Sequence, residues 1–141
     1  ERVNVKTQAH CLSAYLCETQ KAGMKAPPPL VQDPLDTKHF LTWYEENKPD
    51  AVIVSSPLWE MIQETSIRVP KDLGVACPMV PAHSPELTGI IEKCQEMGSA
   101  AVDTLVHMIQ YGDKGLPQTP RFILLEGQWN QGKTTRKRRK A

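Results

Sequence analysis

The chain has 141 residues, 40% of them hydrophobic and 23% charged, the balance of a soluble globular domain or part of a larger one. Its longest apolar stretch, Ala51-Val52-Ile53-Val54, falls far short of the roughly 20 residues a membrane helix needs, and the start, Glu1-Arg2-Val3-Asn4, carries neither an apolar signal region nor an initiator Met, which reads as a fragment or a processed chain. The net charge of +1 is unevenly spread: six of the 17 basic residues are Lys133, Arg136, Lys137, Arg138, Arg139 and Lys140, and without them 11 basic face 16 acidic side chains, a balance of −5.

In chain order, Leu12, Tyr15, Leu16 and Thr19 recur at helical spacing over residues 7–22, with Gly23 as a stop. Pro27-Pro28-Pro29 excludes helix and leads into a short apolar run, Leu30-Val31, read as a strand. Asp36 can cap a second helix, whose Phe40, Trp43, Tyr44 and Asn47 share a face and which ends at Lys48-Pro49-Asp50. Residues 51–55 read as a fully buried strand, the kind found in parallel sheets covered by helices. Ser55-Ser56-Pro57 then opens a helix carrying Leu58, Met61, Ile62 and Thr65. Val69-Pro70-Lys71-Asp72 turns the chain into a strand over 73–77, and Pro78, Pro81 and Pro85 mark an irregular loop. A long amphipathic helix is predicted over 91–110, ended by Gly112 and Gly115, with Phe122 to Leu125 as a last strand. The tail is too charged to pack and is expected to be disordered. Alternating helix and strand with short turns predicts an α/β fold: three layers, αβα, on a mainly parallel sheet.

The four cysteines, Cys11, Cys17, Cys77 and Cys94, form no C-x-x-C pair and no common zinc spacing, so free thiols in a reducing, cytoplasmic setting are expected, with no metal or cofactor. His39, His83 and His107 are scattered, and no triad or carboxylate pair follows from spacing, so the chain is not expected to be an enzyme. No G-x-G-x-x-G is present, and Gly132-Lys133-Thr134 lacks the upstream Gly and following helix of a Walker loop.

From Lys48 onward a set of short motifs stands in a fixed order: Lys48-Pro49-Asp50-Ala51 before the apolar run, Ile67-Arg68-Val69-Pro70-Lys71-Asp72, Pro85-Glu86-Leu87-Thr88, Met97-Gly98 heading the long helix, and Gly132-Lys133-Thr134. Together they resemble the sensor domain of LacI-type (lactose/galactose repressor) transcription regulators. The resemblance implies a type I periplasmic-binding-protein-like architecture of two α/β lobes joined by crossover strands, with an effector between them. On it, residues 1–88 are part of the second lobe, 89–116 a crossover and a helix of the first lobe, 117–133 a returning strand and closing segment, and 134–141 a basic tail. The first lobe's own strands and the DNA-reading helix-turn-helix are not among these residues. A helix parted from its lobe should expose Leu105, Met108 and Ile109, and the isolated chain should associate or behave poorly. Gly98, with Ala100 and Ala101, gives that helix a smooth face for close packing.

The implied partners are a sugar-like small-molecule effector, a second subunit in a homodimer, and operator DNA through the missing head. No membrane partner is implied. Ligands of open α/β sheets sit beyond the carboxyl ends of the strands, which directs attention to Ser55 and Ser56. Ser56 aligns with an effector-contacting position, and a helix cap is its plainer reading; Pro57 replaces a frequent Asp. Met79 stands where many relatives carry an Asp able to hold two sugar hydroxyls, a departure that implies a less polar ligand, hydroxyls held elsewhere, or a site that has lost its ligand. Glu92 aligns with a polar effector position, or is a solvated helix-start carboxylate. Arg2 matches an Arg that clamps ligand. Trp59 either stacks on a sugar face or packs. The basic tail could bind nucleic acid as a charge run or stay solvated. A transporter's sugar-binding subunit of the same fold is the alternative function.

Overall fold

The computed structural model describes residues 5–31, 36–113, 115, 119 and 121–136. The chain divides into two compact units, Glu1–Pro49 and Asp50–Ala141.

The first unit holds two helices, α1 (Val5–Lys21) and α2 (Thr37–Asn47). On α1, Leu12, Tyr15 and Thr19 are half-buried, as their spacing predicts, while Leu16 is exposed. The proline run after α1 is held by side chains: the Tyr15 hydroxyl donates to the Pro27 carbonyl at 2.6 Å and Trp43 Nε1 to Pro28 at 2.9 Å. That arrangement corrects the strand expected at Leu30-Val31. Proline has no N–H to offer a ladder, the neighbouring carbonyls are taken by side chains, and Val31 is exposed outside any strand. Asp36 caps α2 as expected, its Oδ1 accepting from the His39 N–H at 2.8 Å. At the other end Lys48 takes a left-handed conformation (φ 43°) and donates its N–H to Tyr44. Phe40 is buried, with its ring centroid 6.4 Å from Trp43 and 6.2 Å from Tyr44.

The second unit is an α/β fold on a four-stranded open sheet: β1 (Ala51–Ile53), α3 (Ser56–Gln63), β2 (Gly74–Cys77), β3 (Thr88–Ile91), α4 (Cys94–Tyr111) and β4 (Gln128–Asn130). The strand order is β1-β2-β3-β4. The first three run parallel and β4 is antiparallel to β3. The register pairs Val52 with Val75, Ala76 with Thr88 and Ile90 with Trp129. The core gathers on the central strands and α3: Ile62, Leu73, Val75 and Leu87 are fully buried.

Three expectations are corrected here. First, β1 is not buried on both faces. It is an edge strand, paired only with β2, and Ile53 is 74% exposed; burial resumes only at Val54. Second, the long helix expected from residue 91 begins only at Cys94, and Thr88–Ile91 before it is strand β3 at the sheet centre. Gly89 permits it: at φ 153° a Cβ would lie 1.8 Å from the Cys77 carbonyl oxygen, so only glycine allows this approach of β3 to β2. Third, Phe122–Leu125 is no strand of this sheet; the returning strand is Gln128-Trp129-Asn130. Its pairing is fixed by Asn130, whose Nδ2 donates to the carbonyls of Pro85 and Leu87 at 2.9 and 2.7 Å.

The chain then folds back over β2 and β3. Thr134 exchanges bonds with Val75, accepting its N–H and donating its hydroxyl to its carbonyl, each at 2.7 Å, and Thr134 Oγ1 accepts the Thr88 N–H at 2.9 Å. A Cβ on Gly132 would lie 2.2 Å from the Glu86 carbonyl oxygen, which explains glycine there. Arg136 donates to the carbonyls of Pro70 and Lys71. The packed chain thus runs to Arg136, three residues into the expected tail; residues 137–141 lie outside the described residues. Gly98, by contrast, faces open space, so the close packing expected of it is not made among the described residues.

Candidate functional site

Because β1, β2 and β3 are parallel, their carboxyl ends share one edge of the sheet, with neighbouring strands about 4.8 Å apart. Ser55 follows β1 by two residues, Met79 follows β2 by two, and Glu92 follows β3 by one. The topology therefore brings three of the expected residues to a common edge, and α3, carrying Ser56 and Trp59, begins there.

The surroundings of these residues agree with some of the readings and differ from others. The cap of α3 is Ser55, not Ser56; Ser55 is extended (φ −75°, ψ 160°) and its side chain makes no capping bond. Ser56 is the first helical residue and half-buried. The Ser55 hydroxyl, exposed beyond the strand end, is thereby left to act on something other than its own helix. Trp59 packs rather than presenting a stacking face: it is 5% exposed, and its Nε1 is buried without a hydrogen-bond partner among the described residues. Such an unpaired donor costs about 1–3 kcal/mol. Met79 is exposed, and its carbonyl accepts from Cys77 Sγ at 3.0 Å. Burial pushes the Cys77 thiol up, against a smaller opposite pull from that bond, so the sulfur stays a neutral thiol and not a nucleophile. Glu92 is exposed. Arg2 lies outside the described residues.

Sequence reasoning missed a further pair at this edge. His83, in the proline loop after β2, places Nε2 4.0 Å from Oε1 of Glu60 on α3, both exposed. Glu60 stands one turn into α3, which was the available signal; the loop's path was not readable. Among the described residues no group of three or more His, Cys, Asp or Glu is arranged to hold a metal, and no helix is long and apolar enough to cross a membrane.

A groove lies elsewhere in the second unit. It is open, about 440 Å³, between α4 (Met97, Ala101, Thr104) and the segment Arg121, Ile123 and Leu125. It is mostly apolar and is made by a helix that buries no residue of its own, so the strand-end edge carries the more varied chemistry.

Comparison with protein families matched residues 5–135 to the model of the periplasmic binding protein-like domain. The chain belongs to the periplasmic binding protein-like domain family. Its members are ligand-binding domains, and the parallel open sheet with flanking helices agrees with a type I lobe. No curated protein and no solved structure matched the chain. Open α/β sheets as a class take ligands beyond the carboxyl ends of their strands, and β1, β2 and β3 share such an edge here.

Proposed function

We propose that the chain is an effector-sensing portion of a LacI-type transcription regulator, acting in the cytoplasm and in a homodimer, with DNA read by a separate head. The observation that carries the reading is the family match over residues 5–135 together with the gathering of Ser55, Met79 and Glu92 at one strand-end edge. The Ile67-to-Asp72 turn and the Gly132-to-Thr134 closure support a regulator over a transporter subunit, and four free thiols suit a reducing compartment. The mechanism is ligand-driven closure of two lobes, which alters the spacing of paired DNA-binding heads. At this edge a donor-bearing Ser55, an apolar Met79 and the Glu60–His83 pair replace a carboxylate clamp, so the effector is sugar-like but held with fewer carboxylate contacts.

A thermal-shift screen against sugars, sugar acids and nucleosides tests this, because a ligand that binds only the folded state raises the melting temperature by mass action. A hit that is lost in Ser55→Ala or Ser56→Ala supports sensing at the strand ends. Sugar hits appearing only in Met79→Asp assign the altered recognition to Met79. Absence of any hit in the wild type and in Met79→Asp counts against the sensor reading.

A further inference from the structure

The amino ends of the parallel strands share the edge of the sheet opposite the candidate site: Asp50 stands before β1, the Pro70–Asp72 turn before β2 and Glu86 before β3. After β4 the chain crosses that edge. The Lys133 N–H donates to the Glu86 carbonyl at 2.6 Å, Thr134 bonds to Val75 and Thr88, and the Arg136 guanidinium donates to the carbonyls of Pro70 and Lys71. Arg136 is also the first of five consecutive cations, Arg136-Lys137-Arg138-Arg139-Lys140. Its bonds fix the start of that run at the amino-end edge; residues 137–140 themselves lie outside the described residues.

The charge of this edge is lopsided. Arg68 and Asp72 neutralise each other. Of the rest, Lys71, Lys133 and Arg136 outnumber Asp50 and Glu86, and none of the five is buried. Lys137 to Lys140 add four cations and no carboxylate, whereas without Lys133 and the run the chain has a balance of −5. Five cations in succession repel one another and are complemented by a polyanion of closely spaced charge. Duplex DNA carries one phosphate charge per about 1.7 Å of its axis, and four residues reach at most about 14 Å, so each cation of the run can meet a phosphate. The arginine forks suit phosphate oxygens in pairs. A membrane surface fits less well, because stable anchoring needs a second signal beside a basic patch, and residues 131–141 hold no apolar side chain larger than alanine. We infer that the amino-end edge, with the basic run it carries, is an auxiliary site for the phosphate backbone of duplex DNA. Phosphate contacts carry no base information, so the site is blind to sequence. It lies across the sheet from the strand-end edge and stands on the fold and the charge run, independently of any effector.

Fluorescence anisotropy of short labelled duplexes titrated with the full chain tests this. Two duplexes of unrelated sequence should bind alike, and affinity should fall on the order of a hundredfold between about 50 and about 200 mM salt, the slope of roughly four neutralised phosphates. The variant carrying Lys137→Gln, Arg138→Gln, Arg139→Gln and Lys140→Gln should lose a comparable factor at the lower salt with its melting curve unchanged. A second variant, with Lys21→Gln, Lys25→Gln, Lys38→Gln and Lys93→Gln at exposed sites away from this edge, lowers the net charge equally and should bind as the wild type does. No binding at the lower salt, an equal loss in both variants, or tighter binding to anionic phospholipid vesicles than to duplex each overturns the inference. A failed effector screen leaves it untouched.

Discussion

The hydroxyl of Thr134 ties together segments that lie far apart in the chain: it donates to Val75 on β2 and accepts from Thr88 at the start of β3. Thr134 and Thr88 are both buried, so a lost partner cannot be replaced by water. Thr134→Val keeps the shape and removes the hydroxyl, leaving the Thr88 N–H unsatisfied, and should lower the unfolding free energy by about 1–3 kcal/mol in urea titrations. Trp59 poses the opposite case. Its indole nitrogen is already unpartnered, so Trp59→Phe removes a cost while opening a small cavity, and the two effects should offset to within about 1 kcal/mol. Trp59→Ala, which discards the ring, should cost about 3–5 kcal/mol by the same measurement. A phenylalanine variant as damaging as the alanine one would mean that the nitrogen does have a partner.

At the scale of elements, the turn before β2 is held by Arg68 and Asp72. The guanidinium meets the carboxylate twice, Nε to Oδ2 and Nη2 to Oδ1, each at 2.7 Å, and the Arg68 N–H adds a third bond. These hold the Asp72 carboxyl below its ordinary value of 3.8. A lowered acid favours the folded state fully above its unfolded value and loses that contribution as pH falls through the folded one. Acid titration of stability should therefore steepen below about pH 4, and Asp72→Asn should flatten that part of the curve; an unchanged curve would show that the pair does not bias folding. This turn was legible because Val69-Pro70-Lys71-Asp72 is a local signal, whereas the Arg68 bonds that hold it appear only in the structure. Also legible were α2, through Asp36, and β2, through Leu73 to Cys77. What escaped was set by partners distant in sequence. The strand Thr88–Ile91 runs into the stretch expected as helix, and its place in the sheet shows only when Gly89 is seen against Cys77. β4 has the polar sequence Gln128-Trp129-Asn130, which shows no strand pattern without the Asn130 bonds to Pro85 and Leu87. Phe122 to Leu125 misled for the converse reason: strand composition without strands to join.

For the whole molecule, the strand-end edge was readable as a place because parallel order follows from the alternation of helix and strand. Its chemistry was not, since the state of the Ser55 side chain, the burial of Trp59 and the approach of His83 to Glu60 depend on packing. The same contrast divides the second unit energetically. Around β2 and β3, buried apolar groups and the Thr134 bonds reinforce one another, whereas among the described residues α4 buries none of its side chains and borders an open groove. Stability should then be uneven: opening α4 exposes little new apolar surface, while opening β2 requires the core to come apart. Hydrogen exchange of the dilute chain should find the Val75 and Thr88 amides slowest, exchanging only with global unfolding, and the interior amides of α4 faster by on the order of a hundredfold or more. Uniform slow exchange in the dilute chain would instead place α4 in the same cooperative unit as the sheet.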